Sequence, residues 1–543
     1  MPLAIHFARC APTLTAAFLT VGCGSDAGVF AIQGGGAQAG AGSGAGASGA
    51  TGGGSACAPG ESESCYSGPV GTVDVGECRA GVRSCLPEGS GFGPCEGEIT
   101  PGLDDCATVE DEDCDGTAFP CTGTHLSSRK FDHAVPYAVA TDAQGRVALA
   151  GGMFGPQDFG NGPLSPGGQS DVFATVYDVN DAIVFARSFG NDAFEQANGI
   201  ALDGLGGVVV VGEFVNGIDF GGGPLTSGDS FIVRLDASGN HVWSKAVVPG
   251  IESRAFAVAI DSAGAVYVTG ELTGGADFGG GFLPGAGNRD VFVVKLDASG
   301  SHQWSHLYGD GDHQSGMSIT VDGTGNAYVA GYFNGAIGFG GPTLSNPPNP
   351  GGTDGFLVKL DTGGGHVWTK HFGASGNQAA IAVSSDASGN VAVTGAQEGS
   401  VDYGGGPLSA SASDVFVVRY QPNGTHAWST IFGDAAEQVG RGIAMDGSSS
   451  VIVVGDFFGM IDFGGSTLAS AGDRDVFLAK LSSTGQHAWS HGFGDPAIQQ
   501  GLAVAAEGGG RIALAGHFSG VIQFGGSTLT ANTVAGFVAR FAP

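Results

Sequence analysis

The chain has 543 residues, 52 of them Asp or Glu and 20 Lys or Arg, for a formal net charge of −32. That balance excludes nucleic acid as a partner, because phosphate neutralisation needs clustered Lys and Arg. With 42% apolar and 13% charged residues the composition fits a folded, strand-rich chain, and no second apolar stretch approaches membrane-spanning length.

Residues 1–22 carry a single Arg, Arg9, and then the apolar run Ala16-Ala17-Phe18-Leu19-Thr20-Val21, ending at Gly22-Cys23. The run is too short to span a bilayer and has the form of a signal peptide. Residues 34–55 are almost entirely Gly, Ala, Ser, Thr and Gln, which predicts a flexible tether over 23–55 with no core of its own.

A module over 56–123 follows, with eight cysteines: Cys57, Cys65, Cys78, Cys85, Cys95, Cys106, Cys114 and Cys121. An even set in a short exported module predicts four disulfides, though spacing alone cannot choose among the pairings. Zinc is the weaker reading, because no C-x-x-C pair occurs. Within the module Asp111, Asp113 and Asp115 alternate ahead of Gly116, the D-x-D-x-D-G opening of a calcium loop. Thr122 stands where such a loop places its bidentate Glu, so calcium would need further oxygens, with Asp104, Asp105 and Glu110 nearby. The alternative is a solvated acidic turn pinned by Cys106 and Cys114.

From about residue 137 to the end one phrase recurs seven times at a period near 60, as in Gly199–Gly212, Ala257–Gly270 and Gly442–Gly455. Each copy continues through a D-F-G-G-G-like turn, a D-V-F-V-x-K-L-D segment and an H-x-W-S-x-x-F-G segment, so each repeat is four short strands. Four strands per repeat predict a propeller blade. First strands are expected from Tyr137, Gly199, Ala257, Ser318, Ile381, Gly442 and Leu502, and third strands from Asp171, Ser230, Asp290, Asp354, Asp414, Asp475 and Gly536. The last repeat stops inside its third strand, while His125–Phe131 stands alone ahead of the first. The fold expected is therefore all-β, a seven-bladed propeller closed by an N-terminal clasp strand over 124–543, which leaves no open edge.

Most recurrences have structural readings. Trp243, Trp304, Trp368, Trp428 and Trp489 share one register in the fourth strands and predict blade-to-blade packing. Gly151, Gly212, Gly270, Gly331, Gly395, Gly455 and Gly516 mark a bulge or a close backbone approach. The D-F-G turns offer one carboxylate each, too few oxygens for calcium. His241, His302, His366, His426 and His487 open rim strands too far apart to share a metal, so local hydrogen bonds to a turn are expected.

The stretch AVAIDSAGAVYVTGELTGGADFGGG…RDVFVVKLDASGSHQWSHLYG over 257–309 resembles the SBBP-type β-propeller repeat of bacterial surface and secreted proteins, and the match recurs across 125–543. The resemblance implies a propeller outside the cytoplasm and carries no catalytic residue. Gly22-Cys23 resembles the cleavage site of bacterial lipoproteins, which implies lipid on Cys23, although Leu19 lies one position further from the cysteine than that pattern has it. Simple secretion is the alternative. The D-x-D-C-D-G run and the cysteines before it resemble a bacterial extracellular module catalogued as a metal-binding motif.

For function, the axial face where fourth-to-first-strand loops meet is the place to search. Gln314, Gln378, Gln438 and Gln499 recur there, with Glu195 in the same register, and Asp310, Asp312 and His313 form the nearest thing to a catalytic or metal cluster, with Glu252, Arg254, Glu437 and Arg441 nearby. A ring of amides would hydrogen-bond a sugar, or satisfy loop backbone groups. Near-uniform blades argue against chemistry, because an active site breaks symmetry. The expectation is a monomeric, non-enzymatic binding or adhesion scaffold at the bacterial surface, attached to the membrane by its N-terminal lipid alone, for a glycan or protein ligand. The alternative is an extracytoplasmic polysaccharide lyase or hydrolase.

Overall fold

The computed structural model describes residues 57–69, 71–75, 78–100, 122–346, 352–507 and 509–543. The described residues are strands and turns without helix, in two compact units divided between Pro101 and Gly102. Cys23, Cys106, Cys114, Cys121 and the carboxylates Asp111, Asp113 and Asp115 lie outside the described residues.

In the first unit Ser62–Cys65 pairs antiparallel with Gly81–Ser84, and Arg79 and Val82 bridge onward to Ile99 and Glu96. So small a sheet buries little apolar area, and disulfides hold it instead. They join Cys57 to Cys85 and Cys65 to Cys95, and Cys78 is disulfide-bonded as well.

The second unit is a seven-bladed propeller. The innermost strands are Ala134–Thr141, Gln196–Leu202, Glu252–Ile260, Gln314–Val321, Gln378–Ser385, Gln438–Met445 and Gln499–Ala506, and each neighbours the next until the last meets the first. They begin about three residues ahead of the sequence-based expectation. The pairing continues through a β-bulge, for example between Ala255 and Ala257, onto the loop side. The last third strand also starts early, at Leu529, because it is continuous with the outer hairpin of its blade. His125–Phe131 pairs with it from His125 opposite Phe541 to Phe131 opposite Gly536, and Ala542 N–H donates to Thr124 O. The clasp thus joins the chain ends and removes the free edge.

The core is divided among the seven junctions, each filled by side chains from two adjoining blades. Between blades five and six, for instance, Val415, Val417 and Phe432 meet Ile443, Val453 and Phe477. Each such side chain contributes about 1.5–3 kcal/mol by burial.

Two rim devices recur, the first between neighbouring blades and the second within each blade. The indoles of Trp243, Trp304, Trp368 and Trp428 donate to carbonyls of the next blade's outer turn, at Ala298, Thr362, Pro422 and Ser483, over 3.0–3.1 Å. Each also lies against a left-handed glycine of that turn, where any Cβ would overlap the ring, such as Gly364 (φ +83) under Trp304. Gly123 (φ +63) fills that place under Trp489, which closes the series at the chain ends. Ser127 stands at the tryptophan position of the clasp, and there the turn carries Asp181 (φ 61) instead of glycine. In the second device the imidazoles of His241, His302, His366, His426 and His487 bond the Ser or Thr three residues on, at 2.8–3.1 Å, and not a turn. Each ring fills the space over one glycine of the D-F-G-G hairpin, such as Gly280 against His302. Blade one has Ile183 at this position, and its hairpin carries Asn161 where the others have glycine.

Candidate functional site: the axial mouth

The glycine that ends each second strand shapes the inner wall. A Cβ on Gly270 would overlap Arg254 O, and one on Gly331 would overlap Ser315 O, so glycine lets the first strand press in and bulge. The extra residue at each bulge is Tyr137, Asn198, Phe256, Met317, Ile381, Arg441 and Leu502 in turn. All seven are half-buried, and the five large apolar ones belong to none of the inter-blade cores. On the innermost strands the seven recur at one register, a collar of five apolar residues with one amide and one guanidinium. The Asn198 amide donates to Ala255 O.

On the loop side of this collar lie two charge networks. In blades two to four Glu271 is buried, with Arg289 at 2.8 Å, Arg254 at 3.7 Å and Glu252 bound to Arg254 at 2.8 Å. Burial pushes the Glu271 carboxyl above its ordinary range despite the two guanidinium groups. Burial also raises the neighbouring Tyr332 phenol, and the Glu271 charge adds to that effect. In blades six and seven the fully buried Asp456 is gripped by Arg441 and Arg474, and Arg474 also reaches Glu437 at 2.8 Å. Burial works to raise Asp456, but the two guanidiniums outweigh it and hold the carboxyl below its usual range. His517 beside them is pushed down to about 4 by burial, with Arg441 adding to the effect.

The recurring glutamines are buried in the loops. Gln314 donates to Asp310 Oδ1 (2.6 Å) and Asn334 O (3.0 Å), Gln438 to Asp434 and Phe458 O, and Gln499 to Asp495 and Ser519 O. Gln378 donates to Glu398 O. Three of the four lie beside the acid that opens a third strand, and the pairing varies by junction: Asp290 with Gln314, Asp414 with Gln438, Asp475 with Gln499, but Asp354 with His371, Asp171 with Glu195 and Ser230 with Ser253. The Ser253 and Ser230 hydroxyls bond at 3.0 Å. Burial, then the Asp171 charge, pushes Glu195 up to about 7 even though Asn191 N–H donates to it. Burial likewise raises Asp475 to about 6.

Asp310 receives Asp312 N–H and Ala336 N–H, which makes it a loop anchor, and His313 is exposed with its backbone bridged to Arg289. Asp310, Asp312 and His313 lie on the loop entering blade four, Glu252 opens the innermost strand of blade three and Glu437 lies on the loop entering blade six. Among the described residues no three His, Cys, Asp or Glu side chains converge to hold a metal. Of the residues singled out from sequence, Glu252, Arg254, Glu437 and Arg441 enter the charge networks. The collar and the partners Glu271, Arg289, Asp456 and Arg474 were missed. The recurring glycine was the available signal for the collar, since it marks the bulge.

No family model matches the chain. It is 22% identical over 442 residues to the uncharacterised WD repeat-containing protein L264 of Acanthamoeba polyphaga mimivirus, an alignment covering 66% of this chain and 32% of the viral protein. The chain therefore spans about a third of the relative it matches. Among solved structures it overlays the Neurospora crassa Pan2 WD40 domain at a TM-score of 0.41 with 11% identity, covering 77% of this chain and 98% of that one. Sqt1 from Chaetomium thermophilum gives 0.34 with 12% identity, covering 73% and 83%. Overlays this loose leave the blade count to the strand order described above. The chain is a β-propeller repeat protein with distant sequence similarity to a WD-repeat protein.

Proposed function

We propose that this chain is a non-enzymatic binding scaffold of the SBBP-repeat kind, held at a bacterial surface by lipid on Cys23, and that it takes a glycan or protein ligand at the axial mouth. The collar carries this reading. Five of the seven bulges set a large apolar residue, Tyr137, Phe256, Met317, Ile381 and Leu502, on the innermost strands outside the inter-blade cores. Bulges re-aim side chains in this way next to functional sites. The collar gives the mouth apolar contact area, and the two charge networks give it fixed polarity. Calcium at Asp111, Asp113 and Asp115 is the cation this reading includes.

The test is calorimetric titration of cell-envelope glycans and peptides into the full chain and a Phe256→Ala/Leu502→Ala variant. Binding lost in the variant at unchanged melting temperature supports the reading. Binding untouched by the variant removes the axial mouth as the site, and new reducing ends released from a glycan would establish the enzyme reading in its place. Cys23→Ser is expected to move the protein from the membrane to the soluble fraction.

A further inference from the structure

The junction of blades two and three departs from every other. The fourth strand of blade two, His241–Pro249, runs on and pairs with the outer hairpin of blade three, Val248 opposite Asp277 and Pro249 opposite Ala276, and the blade becomes a six-stranded sheet. Asp277 in turn faces Phe282 across the hairpin, so Val248, Asp277 and Phe282 stand side by side on one face of three strands. Phe282 reaches over Gly275, and Ile251 packs on the adjacent Gly274. Three apolar side chains are thereby grouped in water: Ile251 is 72% exposed, Phe282 60% and Val248 47%.

Neither exposed residue at the centre of the patch is a repeat feature. Phe282 stands where the sister hairpins carry Pro163, Pro224 and Pro407, and Ile251 stands where sister loops carry Ala193, Ala436 and Ala497. A rigid sheet presenting a grouped apolar surface is the form of an interaction site. The patch carries an acid, Asp277, on a chain of net charge −32.

We propose that this junction is a docking surface for a polypeptide segment presenting bulky apolar side chains between lysines or arginines. The apolar groups supply burial, and the flanking cations meet Asp277 and are steered by the chain's negative charge. This surface is separate from the axial mouth and does not depend on it.

The experiment uses fluorescence anisotropy of the full chain with a short labelled peptide alternating lysine and leucine, at physiological salt. Two control peptides replace lysine with glutamate or leucine with serine. Only the lysine–leucine peptide is expected to bind, and Phe282→Pro/Ile251→Ser, which keeps the charge constant, is expected to weaken it about tenfold. Phe282→Pro alone restores the sister residue and keeps the test readable should the pair fail to fold. The axial variant Phe256→Ala/Leu502→Ala is expected to bind the peptide normally. Equal binding of the lysine–serine peptide, indifference to the Phe282 and Ile251 changes, or loss in the axial variant alone would each overturn the proposal. So would a concentration-dependent dimer in sedimentation that the same two substitutions abolish, since the patch would then cover a second copy of the chain.

Discussion

The junction of blades three and four and the junction of blades two and three solve the same packing problem differently. In the former, Asp290 and Gln314 lie together inside the loop and Trp304 clamps the next blade through Thr362 O and Gly364. In the latter, Trp243 makes the same clamp through Ala298 O, but the loop pin shrinks to the Ser230 and Ser253 hydroxyls, and two added ladder pairs to the outer hairpin stand in for it. The ring therefore tolerates loss of a repeated side-chain device where the backbone ladder is extended. What recurs in most blades belongs to the ring, and what a single junction has exchanged is free for another use.

The largest effect should come from opening the ring. Phe131→Ala at the end of the clasp removes a fully buried ring from the junction of blades seven and one and is expected to cost about 3–5 kcal/mol in urea denaturation. A loss below 1 kcal/mol would mean that the clasp contributes little to closure. Next in size, Gly364→Ala places a Cβ against Trp304 at φ +83 and should cost about 2 kcal/mol, while Asp181→Ala, at the turn that faces Ser127 and no indole, loses only its 2.8 Å bond to Arg540 and should cost about 1 kcal/mol. Equal costs at both turns would erase the distinction between them.

A smaller and pH-dependent effect is expected at Glu195. Its folded-state pKa is raised, to about 7, so the folded chain holds this proton more tightly than the unfolded one, and the associated stability is present at low pH and lost as pH rises through 7. Glu195→Gln, the residue of four sister blades, should match the parent protein in thermal melts at pH 5 and exceed it by roughly 1 kcal/mol at pH 8. A variant less stable at both values would show that the carboxylate form is the one the loop needs. The smallest change is Ser305→Ala, which removes the 3.0 Å partner of His302 at the rim and should cost about 0.5–1 kcal/mol. A cost near that of Gly364→Ala would place the rim histidines among the main clamps of the ring.

Much of this architecture was legible in one dimension because repetition multiplies a weak signal. One four-strand pattern is ambiguous, but seven of them at one period, with a truncated last copy and an orphan strand in front, leave few closed arrangements. The tryptophan register, the bulge-marking glycine and the acidic first turns were readable for the same reason. The histidines were placed correctly at the rim, but their partner proved to be a hydroxyl three residues on in the strand and not the turn, because the irregular pairing at the strand start, as between Lys295 and Leu296, brings the two side chains together.

The axial mouth was legible only as a location. Glu252, Arg254, Glu437 and Arg441 stand out as charges on a sparsely charged chain, whereas Glu271 and Asp456 read as ordinary polar positions at the ends of second strands. Their grip by arginines from a neighbouring strand or loop joins residues separated by 15–18 positions through sheet register. The collar was less visible still, since Phe256 or Leu502 in a string of small apolar residues reads as core.

Composition and periodicity alone determined that this is an acidic, strand-built, seven-fold repeat with a clasp, because strand period, turn chemistry and copy number are local properties that survive in a linear string. Which side chains face the axis, which acids meet which arginines, and where an apolar patch is left in water were decided only by the tertiary structure. A single-residue bulge reverses the side to which a side chain points, and a two-pair extension of one strand fuses neighbouring blades. Both depend on register between segments distant in the chain, which no local pattern records.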